Sequence, residues 1–461
     1  MEIFIIRALQ LILCLSILVV LHEGGHFFFA KLFKIRVEKF CLFFDPWKTL
    51  FKFKPKNSDT EYCLGWLPVG GYVKISGMID ESMDKEQMKQ PPQPWEFRSH
   101  PAWQRLLVMI GGVLVNFLLA LFIYIAVLFV WGESYIPMQS MKYGMQFNEE
   151  AKAIGFHDGD ILIGTDQKKF KNFDTRDGIS DAYRTLSTAR FVTVMRNGKQ
   201  VNVKMPEEGL NMLQMFKSNP PFMLAYFPAV IDSVIAGMPA EKAGIQAGDR
   251  ILGLNGQKVE TWNDYSRVLM QISEKLVDAP TDDSIAMRHV SVIICHAENN
   301  AVDTLAMMLT ENLQIGVIQR NMHQCYKSVN HDYNLLESIP AGISHGVNVL
   351  KGYLADLKYI FTKEGANSVG SFGAIGSMFP TSWDWHRFWE LTAFISIILA
   401  FMNILPIPAL DGGHVLFLLC EIILRRKPSD KFLEYAEMAG IGLLMFLMLF
   451  ALKNDIVNFL L

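Results

Sequence analysis

Three residues of the segment His22-Glu23-Gly24-Gly25-His26 have the types and spacing of an HExxH pattern. On a helix, residues four apart share one face, so both imidazoles can bind one Zn2+. The glutamate beside them then serves as general base toward a metal-polarised water. A catalytic zinc takes three protein ligands and keeps one position open. The longer pattern HExxHxxGxxH would supply the third ligand nearby, but Phe29 and Leu32 stand at its glycine and last-histidine places. The third ligand must therefore come from elsewhere. Asp411, in Asn403-Ile404-Leu405-Pro406-Ile407-Pro408-Ala409-Leu410-Asp411-Gly412-Gly413-His414, is the candidate. An aspartate between two apolar half-helices is costly and demands a partner. Pro406 and Pro408 break the helix there, and such backbone is tolerated at membrane depth only beside a cavity or within protein. The plainer reading is a buried Asp411 paired with His414 or a lysine. His414 is also the rival ligand, read here as supporting the site from behind.

These residues need a membrane scaffold. The 461 residues carry 43 basic and 46 acidic side chains, a net charge of −3, with 51% hydrophobic and 19% charged residues. That balance disfavours a nucleic-acid binder, a disordered chain and an ordinary soluble enzyme. Four stretches are long and apolar enough to cross a bilayer: 3–21 continuing to 33, 106–130, 391–405 resuming at 415–424, and 439–452. The N-terminus reads as a retained span, with no basic leader and no small-residue cleavage site. Counting inward from Lys31 at about 1.5 Å per residue puts His26 about 8 Å and His22 about 14 Å below the surface. The alternative is a helix end at the interface. Gly24 and Gly25 suit it, since each glycine costs about 1 kcal/mol inside a helix.

Basic residues cluster after the first span (Lys31, Lys34, Arg36, Lys39) and between the third and fourth (Arg425, Arg426, Lys427, Lys431). The positive-inside rule puts both loops on the cytoplasmic side, with both termini and the segment 132–388 outside. None of the six cysteines form a CxxC pair, which argues against a zinc ribbon or thioredoxin-like site. Cys295 and Cys325 could pair if exported.

The outer segment contains a repeat. Gly155, Gly159, Asp160 and Gly164 recur 89 residues later (244 − 155) as Gly244, Gly248, Asp249 and Gly253. Gly-Asp followed by a β-rich run is a turn into a strand. Asn197-Gly198 between two β-rich runs predicts a two-residue hairpin turn. Pro239 opens a short helix and Thr261-Trp262-Asn263-Asp264 a longer one. These units resemble PDZ domains, the second more closely, through Gly237-Met238-Pro239-Ala240 and Ala243–Asp249. PDZ domains bind extended peptides by strand addition; the alternative is a pair of β-rich spacers. The stripe Val347, Leu350, Leu354, Leu357, Phe361 predicts an amphipathic helix, on the membrane surface or facing a core.

HExxH in the first span together with NxxPxPxLDGG in the third resembles the site-2 protease family of intramembrane zinc metalloproteases. Tandem PDZ-like units between the second and third spans make the chain most similar to the bacterial regulator-of-sigma-E type. The resemblance implies that His22, His26 and Asp411 bind Zn2+ and that Glu23 is the base. It implies that Asn403, Pro406 and Pro408 hold substrate, and that Asn116 is a polar position of the second span. Gly65–Lys74 resembles the family's membrane-associated β loop, so Gly70, Gly71 and Tyr72 would present an edge strand to an unwinding substrate. Ser371 replaces the proline of the family's Gly-rich segment.

The expected fold is a polytopic α-helical membrane protein with four transmembrane helices, a β-rich membrane-associated loop and two inserted α+β PDZ-like domains. The expected division is 1–33 first helix, 34–104 cytoplasmic-side loop with a β hairpin, 105–131 second helix, 132–210 and 211–320 PDZ-like units. It continues with 321–388 connecting segment, 389–424 third span, 425–438 cytoplasmic loop and 439–461 fourth helix. The resemblance implies the second cut of regulated intramembrane proteolysis in a bacterial inner membrane. Its substrates would be single-span proteins of the anti-sigma-factor type, or remnant signal peptides, already trimmed by a first protease; no nucleic acid is expected. The rival function is a non-enzymatic membrane scaffold with a structural metal site.

Overall fold

A computed structural model describes residues 2–78, 90–173, 178–207, 209–218, 220–277, 285–320 and 322–460. They form two units: Met1–Glu133 with Asp332–Leu461, and Ser134–His331.

The first unit is helical. Its main helices are α1 (Glu2–Leu32), α2 (Ala102–Trp131), α3 (Leu335–Asp356), α4 (Trp385–Ile404), α5 (Asp411–Leu424) and α6 (Asp430–Leu460). Four segments are long and apolar enough to cross a membrane: Glu2–Leu32, Ala102–Trp131, Trp385–Ile404 and Lys431–Val457. The last helix starts nine residues before the expected 439 (439 − 430). The apolar run understates it because Glu437, Asn454 and Asp455 interrupt the sequence, yet all three are buried against partners.

Glycines set the approach of α1 to α2. A Cβ on Gly25 would lie 2.6 Å from the Gly111 carbonyl carbon and 2.9 Å from Gly112 Cα. Small residues let membrane helices approach backbone to backbone. Gly25 is therefore a packing residue in a continuous helix, not the mark of a helix end. Gly24 faces open space. The predicted stripe divides between α3 and the 3-10 turn Leu357–Phe361 that follows it. Gly342 and Gly346 pack on Ile125, Leu121 and Tyr124 of α2, and Leu350 joins the core there, whereas Phe361 is 92% exposed.

The loop after α1 is more than a hairpin. Strands β1 (Val37–Phe44), β2 (Phe51–Phe53), β3 (Glu61–Leu64) and β4 (Leu67–Ile75) form a mixed sheet in the order β2-β3-β1-β4. β1 runs parallel to β3 and antiparallel to β4. Cys41 and Cys63, opposite each other on β1 and β3, are joined by a disulfide, while Cys295 and Cys325 remain free thiols.

In the second unit the repeat has a structural reason. Asp160 Oδ2 accepts from His157 N, and Asp249 Oδ2 accepts from Gln246 N, so each aspartate closes the turn three residues before it. Each turn leads into a strand, Ile161–Thr165 or Arg250–Leu254. That strand pairs with the first arm of an antiparallel hairpin, Phe191–Arg196 with Lys199–Lys204 or His289–Cys295 with Val302–Met308. Asn197 and Gly198 both have positive φ, 49° and 76°, as a type I′ hairpin turn requires. Val290, Val292 and Ile294 alternate into a core with Ile251, Leu254 and Val268.

Candidate metal centre and active site

Asp411 starts a helix because the chain before it cannot continue one. α4 ends at Ile404, and Pro406 and Pro408 lack the N–H a helix interior needs. Short turns carry the backbone through the break: Ile407 N donates to Leu405 O, and Leu410 N to Ile407 O. Ala409 takes a φ of +72°, in the left-handed region that L residues rarely enter. Two glycines let this loop fold back on the start of α5. A Cβ on Gly412 would lie 2.5 Å from the Ile404 carbonyl carbon, and one on Gly413 2.6 Å from Ile407 O. The Asp-Gly-Gly sequence thus sets a carboxylate at a helix N-terminus with room for the returning chain.

The fold brings Asp411 to His22 and His26. His22 Nε2 lies 3.2 Å and His26 Nε2 3.4 Å from Asp411 Oδ2, and the two nitrogens are 3.3 Å apart. Zinc bonds of about 2.0–2.1 Å at tetrahedral angles set neighbouring donors about 3.3–3.4 Å apart. Asp411 Oδ2 is buried and accepts no hydrogen bond. An orphaned carboxylate oxygen facing two imidazole nitrogens at that spacing fits a divalent cation in both donor chemistry and size.

The surrounding groups fix the histidine tautomers. His26 Nδ1 is 2.8 Å from Val108 O, so it carries the proton and leaves the Nε2 lone pair toward Asp411. The Asn116 amide lies 3.3 Å from His22 Nδ1. With its nitrogen toward the ring, its oxygen is buried without a partner. Turned over, Oδ1 accepts the Nδ1–H of His22. Asn116 is thereby a positioning residue for His22, and Ser396 Oγ holds its backbone oxygen. Gly112 completes the fit: a Cβ there would lie 2.7 Å from His22 Cε1 and 2.9 Å from His22 Nδ1.

Glu23 follows His22 on the helix, and strand β4 packs against α1 beside it. β4 reaches it because Gly71 packs on Val19 of α1, where a Cβ would lie 2.6 Å from Val19 Cγ1. Among the described residues β4 pairs only with β1, so its other edge is open. Gly70 packs on the Phe44 ring, and Tyr72 donates to Asp45 Oδ1 at 2.9 Å. Burial works to raise the Asp45 pKa, but hydrogen bonds from Thr49 and Tyr72 and the Lys39 charge outweigh it and hold the carboxyl below its usual range.

Asn403 Nδ2 lies 3.3 Å from His22 Nε2, so its amide borders the space between the three donor atoms. Pro406 and Pro408 shape the break beside it. His414 turns away from the triad and stands 3.8 Å from Glu437 Oε2. Sequence spacing gave no sign of Val108 or Gly112, because each reaches the site from another element. Glu437 carried a signal, as an acidic residue near the start of an apolar run.

The model of peptidase family M50 matches residues 10–447. The chain belongs to peptidase family M50. A putative zinc metalloprotease of Vibrio cholerae is 27% identical over 96% of this chain and 97% of its own length. A regulator of sigma E protease of Haemophilus influenzae is 25% identical over 96% and 97%. A putative zinc metalloprotease of Thermotoga maritima is 25% identical over 96% and 98%. This M50 chain is a zinc metalloprotease, and its four long apolar helices make it a membrane protein.

Proposed function

We propose that this protein is an intramembrane endopeptidase making the second cut in single-span proteins, with His22, His26 and Asp411 as zinc ligands and Glu23 as general base. The observation carrying this is the set of three donor atoms 3.2–3.4 Å apart in the apolar helical unit, with Glu23 beside them. Zinc, when bound, polarises the scissile carbonyl and lowers the pKa of water toward about 7. Glu23 Oε takes the proton of the attacking water and passes it to the leaving amide nitrogen. Peptide bonds in a helix are shielded by their own hydrogen bonds, so the substrate must unwind. The open edge of β4 at Gly70, Gly71 and Tyr72 offers backbone partners to the unwound strand. Asn403 and the Pro406–Pro408 break border its other side.

The relatives named regulator of sigma E protease support anti-sigma factors trimmed by a first protease as the substrate class. The basic loops support a bacterial inner membrane orientation with the second unit outside. The repeated units of that segment are read as PDZ domains that sense or filter substrate peptides.

The test is Glu23→Gln against the parent, with a single-span reporter reconstituted in vesicles. Cleavage falls by about 10²–10⁴-fold, the range of general-base contributions, while zinc stays bound. Unchanged cleavage overturns the reading.

A further inference from the structure

We propose that Glu437 of α6 is a positioning residue for the zinc site, holding the Pro408–Ala409–Leu410 bend from which Asp411 projects. The inference deepens the metalloprotease reading and rests on it.

Glu437 sits about 10 Å inside α6, seven residues from its start at about 1.5 Å each. It lies within the apolar stretch Lys431–Val457 and is only 3% exposed. An acidic side chain in such a place is costly and marks a function with a definable partner. Its partner is the broken helix. Glu437 Oε2 accepts a hydrogen bond from Ala409 N at 3.3 Å and stands 3.8 Å from His414 Nε2. These two groups flank Asp411, one on the bend before it and one a turn into α5.

A second observation points to the same contact. One turn beyond Glu437, Gly440 packs directly on the Pro408 carbonyl, and a Cβ there would also lie 2.9 Å from Pro408 Cβ. α6 therefore meets the bend through a glycine that allows backbone approach and a carboxylate that takes up its N–H.

The bend needs such support. Ala409 has a φ of +72°, a strained value for a residue with a Cβ, which persists only where its surroundings enforce it. Asp411 lies two residues on. A relaxed Ala409 would swing the carboxylate oxygen away from the two imidazoles, and metal ligands tolerate about 0.2 Å of displacement.

The test compares the full-length parent with Glu437→Gln, Glu437→Leu and Gly440→Ala in detergent. Glutamine keeps an oxygen for the Ala409 N–H, and leucine removes it. Three quantities are read: kcat and KM on a single-span reporter, the visible spectrum of the cobalt-substituted protein, and amide exchange at Ala409 in the metal-free protein. Glu437→Leu is expected to lower kcat at least tenfold with KM within twofold, shift the cobalt spectrum and speed exchange at Ala409. Glu437→Gln is expected to stay within about threefold of the parent in all three. Gly440→Ala is expected to follow the leucine pattern, and it decides the matter with Glu437→Gln if the leucine protein fails to fold. Parental kcat and cobalt spectrum in Glu437→Leu, or in Gly440→Ala, overturn the proposal. A parent that binds no cobalt and cleaves nothing overturns instead the metalloprotease reading on which it rests.

Discussion

Adding one methyl group to α2 should disable a site whose expected ligands lie on α1 and α5. In Gly112→Ala the new Cβ would stand 2.7 Å from His22 Cε1 and 2.9 Å from His22 Nδ1, and closer still to His26 Nε2. Carbon contacts settle near 3.5–4.0 Å, so the rings must retreat by roughly 0.8 Å. His26 has little room to do so, because Val108 O holds its Nδ1 at 2.8 Å. Such a shift is several times the roughly 0.2 Å a metal site tolerates. A misplacement of about 1 Å costs about 10²-fold in rate, or about 2.7 kcal/mol of transition-state stabilisation. The control is Gly24→Ala, inside the HExxH motif itself. Its Cβ meets nothing within 4 Å, so it should keep zinc and gain up to about 1 kcal/mol of helix stability. The assay is zinc retained per protein after dialysis against a chelator, together with reporter cleavage. Parental zinc and cleavage in Gly112→Ala, or equal loss in Gly24→Ala, would refute the reasoning.

Three further outcomes follow from the same geometry. Asn116→Leu removes the group that fixes the His22 tautomer; zinc affinity should fall about 10–100-fold by competition titration, and an unchanged affinity contradicts that role. Arg105 donates to Glu421 at 2.5 Å, tying α2 to α5 with both side chains largely buried. Glu421→Ala should destabilise the protein by about 3–5 kcal/mol in denaturant titrations, and Arg105→Met with Glu421→Leu should recover most of it. In the second unit, burial acts to raise the Asp264 pKa, but hydrogen bonds from Thr261 and from the Glu260 and Thr261 N–H groups outweigh it and hold it low. A depressed folded-state pKa means stability that is present above the unfolded value of about 3.9 and lost as pH falls through the folded value. Asp264→Ala should therefore loosen helix Trp262–Val277 by about 0.5–2 kcal/mol at pH 7 and by progressively less below about pH 4. Hydrogen exchange of that helix in the full-length protein, corrected for intrinsic rates, checks this; a deficit independent of pH contradicts it.

The parts legible in the sequence were those whose chemistry is local or whose cost is conspicuous. His22 and His26 share a helix face by spacing alone. Asp411 stands out because a carboxylate after two prolines within an apolar run has few inexpensive explanations. The Asn197-Gly198 turn follows from two positive φ values that few other residue pairs supply. What stayed hidden depends on which helices meet. Gly24-Gly25 leaves a helix end open as an alternative, since one chain does not reveal that Gly111 and Gly112 lie opposite Gly25. The loop after α1 looked like a hairpin, because the parallel pairing of β1 with β3 is non-local. The last helix begins nine residues before its apolar run (439 − 430), because Glu437 finds a backbone N–H group inside the protein, as Asp455 does farther along.

Zinc-edge X-ray absorption of the purified full-length Glu23→Gln protein tests the central claim most directly. It should show one zinc per chain with only nitrogen and oxygen neighbours at about 2.0–2.1 Å, including the outer-shell signature of two imidazoles. The described residues hold one other grouping of this kind, Cys41, Asp45 and Cys63, whose cysteines would ligate a metal only with their disulfide reduced. Sulfur neighbours at about 2.3 Å, or a spectrum lacking imidazole, would contradict the assignment of His22, His26 and Asp411.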